Sequence, residues 1–192
     1  MQARATDRRD ALLDAAAELL VERGFAGVNT RAIAAAAGAA IGTVYDYFPN
    51  KHAILFALLD RYRERLGTAI DASAARASSW EEAVHEGIEV FYRFYRDEPG
   101  YRELWLGTQL VDVLREHGER WGAEFSKRLE AMVLGFFPHA DATAVAVVSR
   151  LCVHIVSAAA TTALTGPKRL ARPTIEETKA LIVLWLRDRI AR

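Results

Sequence analysis

Apolar residues recur along this chain at the three-to-four spacing of helices, and the strict alternation of a half-buried strand is missing. Leu12, Ala16, Leu19 and Leu20 share one side of a first helix predicted from about Asp7 to Arg23, with Gly24 as its stop. Asn29 or Thr30 caps a short second helix that ends at Gly38, where glycine takes a left-handed turn cheaply. A third covers about Ala40 to Phe48, and Pro49 ends it by disfavouring helical geometry in the residue before it. Asn50 then opens a long fourth helix through Leu55, Leu58, Leu59, Tyr62 and Leu66. Ser78 or Ser79 caps a fifth that reaches Asp97, with Glu82 completing a capping box if Ser79 is the cap, and Glu98-Pro99-Gly100 breaks it. Further helices are expected over roughly Tyr101–Glu116, Glu119–Phe136, Asp141–Leu164 and Thr174–Ile190, with breaks near Gly118, Pro138 and Gly166-Pro167. The pattern predicts an all-α chain of about nine helices.

The stretch from Asn29 to Lys51 has a chemistry of its own. Two short helices joined at a glycine, with hydroxyls and phenols on them, form a helix-turn-helix. A helix that lies in a groove about 12 Å wide must present small and short polar residues. Ala39, Ala40, Ile41 and Gly42 keep the leading edge slim, and Thr43 offers a hydroxyl and a methyl to phosphate or base. Tyr45 and Tyr47 diverge by about 200°, as do the two phosphate walls of a groove. Lys51 adds an ammonium where helix amides are exposed, and Thr30 and Arg31 do the same at the second helix. Ile33, Ala37, Val44 and Phe48 form the apolar side that meets Leu19 and Phe25. Taken singly, each residue also suits an ordinary helical bundle; taken together they specify a DNA-reading unit.

Charge changes this picture only in detail. The 192 residues carry 25 Lys and Arg against 25 Asp and Glu, so binding to nucleic acid must come from placed donors rather than from a basic surface. Asp10, Asp14, Glu18 and Glu22 recur every fourth residue and form one solvated stripe. The length suits a DNA-binding head over residues 1–52 and a larger body over 53–192. Charge interrupts every apolar run long enough for a membrane span, and MQARATDRRD lacks a signal-peptide core, so a soluble cytoplasmic protein is expected.

Catalysis finds no support. Glycine-rich phosphate loops, His-Glu-x-x-His and Gly-x-Ser-x-Gly are lacking, and no cofactor or metal site is expected. Cys152 and His154 diverge by about 200° on a helix and cannot pair locally; Cys152 reads as a small buried hydrophobe.

Arg23-Gly24-Phe25, Thr30-Arg31-x-Ile33-Ala34, Ala37-Gly38 and Gly42-Thr43-Val44-Tyr45-x-Tyr47-Phe48-x-x-Lys51 together resemble the tetracycline-repressor (TetR) family of bacterial transcription regulators. The resemblance implies a homodimer that binds a palindromic operator and leaves it when a small molecule enters the larger domain. It carries DNA contacts to Thr30, Arg31, Thr43, Tyr45, Tyr47 and Lys51, flanked by Ala40, Ile41 and Gly42. There are departures: the family commonly has serine where Ala40 stands and lysine where Ile41 stands, and Asp46 repels phosphates. Arg4, Arg8 and Arg9 either compensate as an arm along the DNA or form a solvated tail.

With that family in view, some of the body's aromatic residues line an effector cavity and the others are core. The candidates are Phe91 with Tyr95, Trp105 with Gln109, Trp121 with Phe125, and Arg150, His154 and Ala158. His154 is either the polar anchor of that pocket or a satisfied core histidine, and the scarcity of charge favours an apolar or aromatic effector. Ala158, Ala159, Ala160 and Thr162 on the eighth helix permit close approach, while the ninth presents Leu181, Ile182, Leu184, Trp185 and Leu186. These two helices either pair with their symmetry mates as a four-helix interface or bury within one subunit. The sequence thus points to a ligand-responsive DNA-binding repressor; the alternative is a helical ligand-binding module that ignores DNA.

Overall fold

The computed structural model describes the backbone of residues 2–108 and 112–190 and the side chains of residues 7–107 and 119–190. Within them lie nine helices and no strand: α1 (Gln2–Gly27), α2 (Thr30–Ala36), α3 (Ile41–Tyr47), α4 (Lys51–Ala74), α5 (Trp80–Asp97), α6 (Tyr101–Thr108), α7 (Asp112–Phe136), α8 (Ala142–Thr165) and α9 (Lys168–Arg189). The expected all-α class therefore holds.

Local chemistry sets most of the helix starts. The Asn29 side chain accepts from Ala32 N at 3.0 Å, Asn50 from Ala53 N at 3.0 Å and Asp141 from Ala144 N at 2.7 Å, each satisfying one orphan donor of a first turn. Ser79 Oγ accepts from Glu82 N at 3.1 Å, so Ser79 is the cap of α5, and the Glu82 carboxylate accepts in return from Ser78 N at 2.7 Å. The hydrogen bonds from Ser78 lower the pKa of Glu82.

Three boundaries differ from the periodicity. A break was expected near Gly118, but α7, described from Asp112, runs straight through it; residues 109–111, within the helix expected from Tyr101 to Glu116, lie outside the described residues. One glycine costs a helix only about 1 kcal/mol, which is too little to break it. Helix α9 begins at Lys168 rather than Thr174 and holds Pro173 inside it. A proline there removes one N–H to C=O bond, a loss that extensive packing of α9 on α8 outweighs. Helix α1 begins before Asp7, and Gly24 (φ 65, ψ 179) kinks it where a stop was expected.

The chain divides into two compact units. The first takes Met1–Glu64 together with Asp97–Gly118, and thus α1 to α3, the first part of α4, and α6. Its core includes fully buried Leu12, Leu20, Ile33, Leu58, Tyr62 and Tyr101. Tyr62 and Tyr101 meet edge to face at 5.5 Å, and Tyr62 donates to the Pro99 carbonyl at 2.5 Å. Gly100 (φ 73) lies so near α1 that a Cβ there would come within 2.7 Å of the Ala17 carbonyl.

The second unit takes Arg65–Arg96 with Glu119–Arg192. Val84, Ile88, Val145, Val148, Cys152, Ile175, Ile182 and Leu186 form its core, and Trp80 meets Phe137 at 5.8 Å. A cluster of charges ties α5 to α9: Lys179 Nζ lies 2.6 Å from Glu89 and 3.2 Å from Glu176, and Arg172 lies 2.8 Å from Glu89. Of the described helices, only α8 is long and apolar enough to cross a membrane by length and composition, with Arg150 interrupting it.

Candidate nucleic-acid interface

The helix-turn-helix is a rigid mount for an exposed face. Ile33 and Val44 are completely buried and Phe48 nearly so, which fixes α2 and α3 on α1 through the apolar side expected for them. Gly38 makes the turn with φ 60, a value that L side chains rarely adopt, and no crowding atom is needed to explain it. Ala40 stands in extended geometry at the start of α3 with no side-chain cap, so the serine commonly found there is missed as expected. The general cost of such a loss is about 1 kcal/mol.

With Val44 inward, the rest of α3 points out. Tyr45 is 54% exposed and Ile41 40%, and Ala40, Gly42 and Asp46 are exposed as well. Thr43 and Tyr47 are half-buried on the flanks, Arg31 is exposed at the start of α2, and Thr30 beside it is half-buried. A phenol ring standing largely in water gives up apolar surface that folding would otherwise bury, about 25 cal/mol per Å².

Lys51, half-buried at the first turn of α4, is held in place: its Nζ donates to the Phe25 carbonyl at 3.1 Å, and the ammonium lies 4.7 Å from the Phe25 ring centroid. Burial lowers its pKa below the ordinary lysine value.

The N-terminal arginines separate too. Arg8 and Arg9 are helical, and Arg9 lies 5.5 Å over the Phe48 ring, while Arg8 shares a recess of about 620 Å³ with Asp7, Gly38, Ala39 and Tyr47. The side chain of Arg4 lies outside the described residues. The acidic stripe of α1 faces outward, with Asp14 held 2.7 Å from Arg61.

The residues expected around an effector do not all fall in one unit. Trp105, on α6, belongs to the first unit, where it stacks on Tyr101 at 6.4 Å; Gln109 lies outside the described residues. Phe91 and Tyr95 meet at 6.1 Å on α5, and Trp121 and Phe125 at 5.9 Å on α7, both pairs in the second unit. Tyr95 is fully buried, with its hydroxyl 3.4 Å from Thr161 Oγ1. Arg150, His154 and Ala158 are all exposed on the side of α8 away from Val148 and Cys152, since a spacing of four keeps them on one face. His154 is therefore neither an internal anchor nor a core histidine within the chain.

Comparison with known proteins agrees with this geometry. Residues 12–58 match the family of bacterial regulatory proteins, tetR family, and residues 78–190 match the tetracyclin repressor-like C-terminal domain. The chain belongs to the TetR family.

This TetR-family chain is a DNA-binding transcriptional regulator. It is 30% identical to the HTH-type transcriptional regulator EthR of Mycolicibacterium smegmatis over 126 residues, 65% of this chain and 57% of that protein. It is 34% identical to the HTH-type transcriptional repressor KstR2 of Rhodococcus jostii over 128 residues, 53% of this chain and 63% of that protein. The match thus spans less than two thirds of either relative. A TetR-family transcriptional regulator from Streptomyces coelicolor has a similar structure over 95% of this chain and 99% of its own, with a TM-score of 0.74 and 25% identity.

Two features of this TetR-family chain escaped the sequence reading. One is a recess of about 480 Å³ in the second unit between α4 and α7, lined by Asp71, Ala74, Arg128, Met132, Gly135 and Phe136. The other is the exposure of Val147 and Leu151 on α8, beside the exposed Leu181 and Leu184 already expected on α9. The ninth helix signalled its half through Leu181 and Leu184, while alanines drew attention away from Val147 and Leu151.

Proposed function

We propose that this TetR-family regulator is a repressor that binds a palindromic operator as a homodimer and is released by a small apolar or aromatic effector. In this reading residues 1–52 read DNA and residues 53–192 take the effector and dimerise. The observation that carries it is α3 itself, anchored by a completely buried Val44 and presenting Tyr45, Gly42, Ile41 and Ala40 outward. Thr43 and Tyr45 reach base edges or phosphate; Thr30, Arg31, Tyr47 and Lys51 hold the backbone on either side. Such a protein acts in the cytoplasm, where its DNA lies, and has no catalytic role.

The homodimer rests on the exposed face of α8 and α9. Leu181 is 52% and Leu184 61% exposed, and a second copy would cover them along with Val147 and Leu151. A twofold axis makes such a patch self-complementary. Arg150, His154 and Ala158 then belong to this face rather than to the effector site. The effector site is assigned to Phe91, Tyr95, Trp121 and Phe125 of the second unit, where aromatic surface and one buried phenol hydroxyl suit a largely apolar ligand.

Release is geometric. Two recognition helices must lie about one DNA turn apart, roughly 34–36 Å, to read both half-sites. An effector that prefers a wider state 10²-fold supplies about 2.7 kcal/mol against operator binding. Selection from random duplex DNA, followed by challenge of the complex with a panel of hydrophobic compounds, tests the whole reading. A recovered palindrome with a half-site spacing of about 10 base pairs is expected. A protein that dimerises and takes ligand yet enriches no DNA site is a ligand-binding module instead.

A further inference from the structure

Lys51 is seated by residues from two other helices of its unit. Phe25 takes one of the three donors of the ammonium on its carbonyl at 3.1 Å, and its ring lies 4.7 Å from the charge, where the negative ring face attracts a cation. Two glycines put Phe25 there. Gly24 bends the chain with φ 65, so Phe25 leaves the line of α1. Gly107 of α6 then receives the ring so closely that a Cβ on it would stand 2.2 Å from Phe25 Cδ2, 2.6 Å from Cγ and 2.7 Å from Cε2. Side chains larger than hydrogen cannot occupy that position without expelling the ring. Gly107 is buried, α6 packs on α1, and Gly100 just before α6 lies against Ala17 of α1.

We propose that Phe25 is a positioning residue for the phosphate contact of Lys51 and that Gly107 holds Phe25 in place, so that α6 sets the orientation of a DNA-contacting ammonium. The inference rests on the assignment of Lys51 to a phosphate in the proposed function. A seated lysine has lost most of its rotamer freedom before DNA arrives, and two of its N–H donors remain for a phosphate oxygen. Helix α6 is joined along the chain to α5, which carries Phe91 and Tyr95. A displacement of α6 along its axis moves Gly107 past the ring and unseats the lysine, which weakens the grip on DNA even with the half-site spacing unchanged. Neither partner is a charged residue, which is why the relay leaves no trace in charge patterning.

The test compares the full-length protein with Lys51→Ala, Gly107→Ala, Phe25→Leu and the two double variants that include Lys51→Ala. Binding to a duplex recovered by selection is measured between about 50 and 200 mM salt, with helical circular dichroism recorded for each protein. Lys51→Ala is expected to weaken binding at least about tenfold and, with two copies of Lys51 on each operator, to make the salt slope shallower by about 1.8. Gly107→Ala and Phe25→Leu are expected to weaken it several-fold with a shallower slope, and to add nothing further in the Lys51→Ala background. If both weaken binding by the same factor with and without Lys51, the seat plays no part and the inference is overturned. Phe25→Leu keeps an apolar side chain beside Gly107 and decides the matter if Gly107→Ala does not fold. An NMR titration of the Lys51 side chain without DNA separates the two ideas: burial lowers its pKa, so the pKa should rise in Phe25→Leu, where less apolar surface covers the ammonium while the carbonyl bond remains. A raised pKa there, combined with a Lys51→Ala protein that binds DNA as the wild type does, removes the phosphate role and leaves the seat standing; an unchanged low pKa in Phe25→Leu removes the seat.

Discussion

The helix pair α2–α3 and the helix pair α8–α9 both expose residues that a lone subunit would be expected to hide, but they expose opposite kinds. Around α3 the outward residues are mostly polar or small, Tyr45, Asp46, Gly42 and Ala40 with Ile41 the apolar exception, anchored by one buried valine. On α8 and α9 they are Val147, Leu151, Leu181 and Leu184, on helices whose other faces form the core of their unit. Tyrosine and threonine in water keep their hydrogen bonds and wait for phosphate or base at little cost. Exposed leucines have no such compensation, and their stable state is against another apolar face. On the proposed function, exposure around α3 is a DNA site and exposure on α8–α9 is half of an interface.

The largest effect expected from breaking this contrast is on the apolar side. Leu181→Glu with Leu184→Glu replaces about 2 kcal/mol of burial per leucine with carboxylates that a dry interface cannot solvate. Sedimentation should show the self-association constant falling by at least about 10²-fold, with helicity retained. A variant that stays fully dimeric would remove α8–α9 as the interface.

Next is the polar side, where function and stability should separate. Tyr45→Ala is expected to weaken operator binding about tenfold while changing folding stability by less than about 0.5 kcal/mol, as surface substitutions usually do. Val44→Ala, one residue away, should lower stability by about 1–3 kcal/mol, since it empties a completely buried site. Urea unfolding and a DNA titration on both variants check this. Equal losses of stability in both would mean that Tyr45 is a structural residue.

A smaller effect concerns how α9 is held. Burial raises the pKa of Glu89, but hydrogen bonds from Lys179 and Arg172, with their charges, outweigh it and leave the carboxyl below its ordinary 4.5. A carboxylate with a lowered folded-state pKa contributes stability that is present above 4.5 and is lost as pH falls through the folded value. Unfolding free energy should therefore decline below about pH 4.5, and Glu89→Gln should flatten that decline at a cost of about 1–3 kcal/mol at neutral pH. An identical acid profile in the variant would mean that other carboxylates cause it.

The smallest signal marks the inner side of α8. Cys152 is buried and its pKa is pushed up to about 12 by desolvation. At pH 8 the native protein should resist a thiol-reactive dye that labels it at once in denaturant. Rapid native labelling would mean that the face assigned to the core opens readily.

Helix caps and turns were legible because they are local: Asn29, Asn50, Ser79 and Gly38 act on atoms within four residues of themselves. The motif from Thr30 to Lys51 was legible for a similar reason, since a short helix-turn-helix places its side chains by turn geometry alone. Helix ends that depend on distant packing were misplaced. Gly118 looked like a break and Pro173 like a barrier, yet neither local cost matches what a long helix gains from its neighbours.

What the sequence by itself determined is therefore the all-helical class, the recognition helix and which of its residues turn outward. Those follow from periodicity and from chemistry within a few bonds. Tertiary structure alone decided the rest. It placed His154 outside rather than inside, left Val147 and Leu151 exposed on α8, and brought Gly107 against Phe25 beneath Lys51. The last arrangement joins residues 25, 51 and 107, and no helical period relates positions so far apart; only close packing of three helices does.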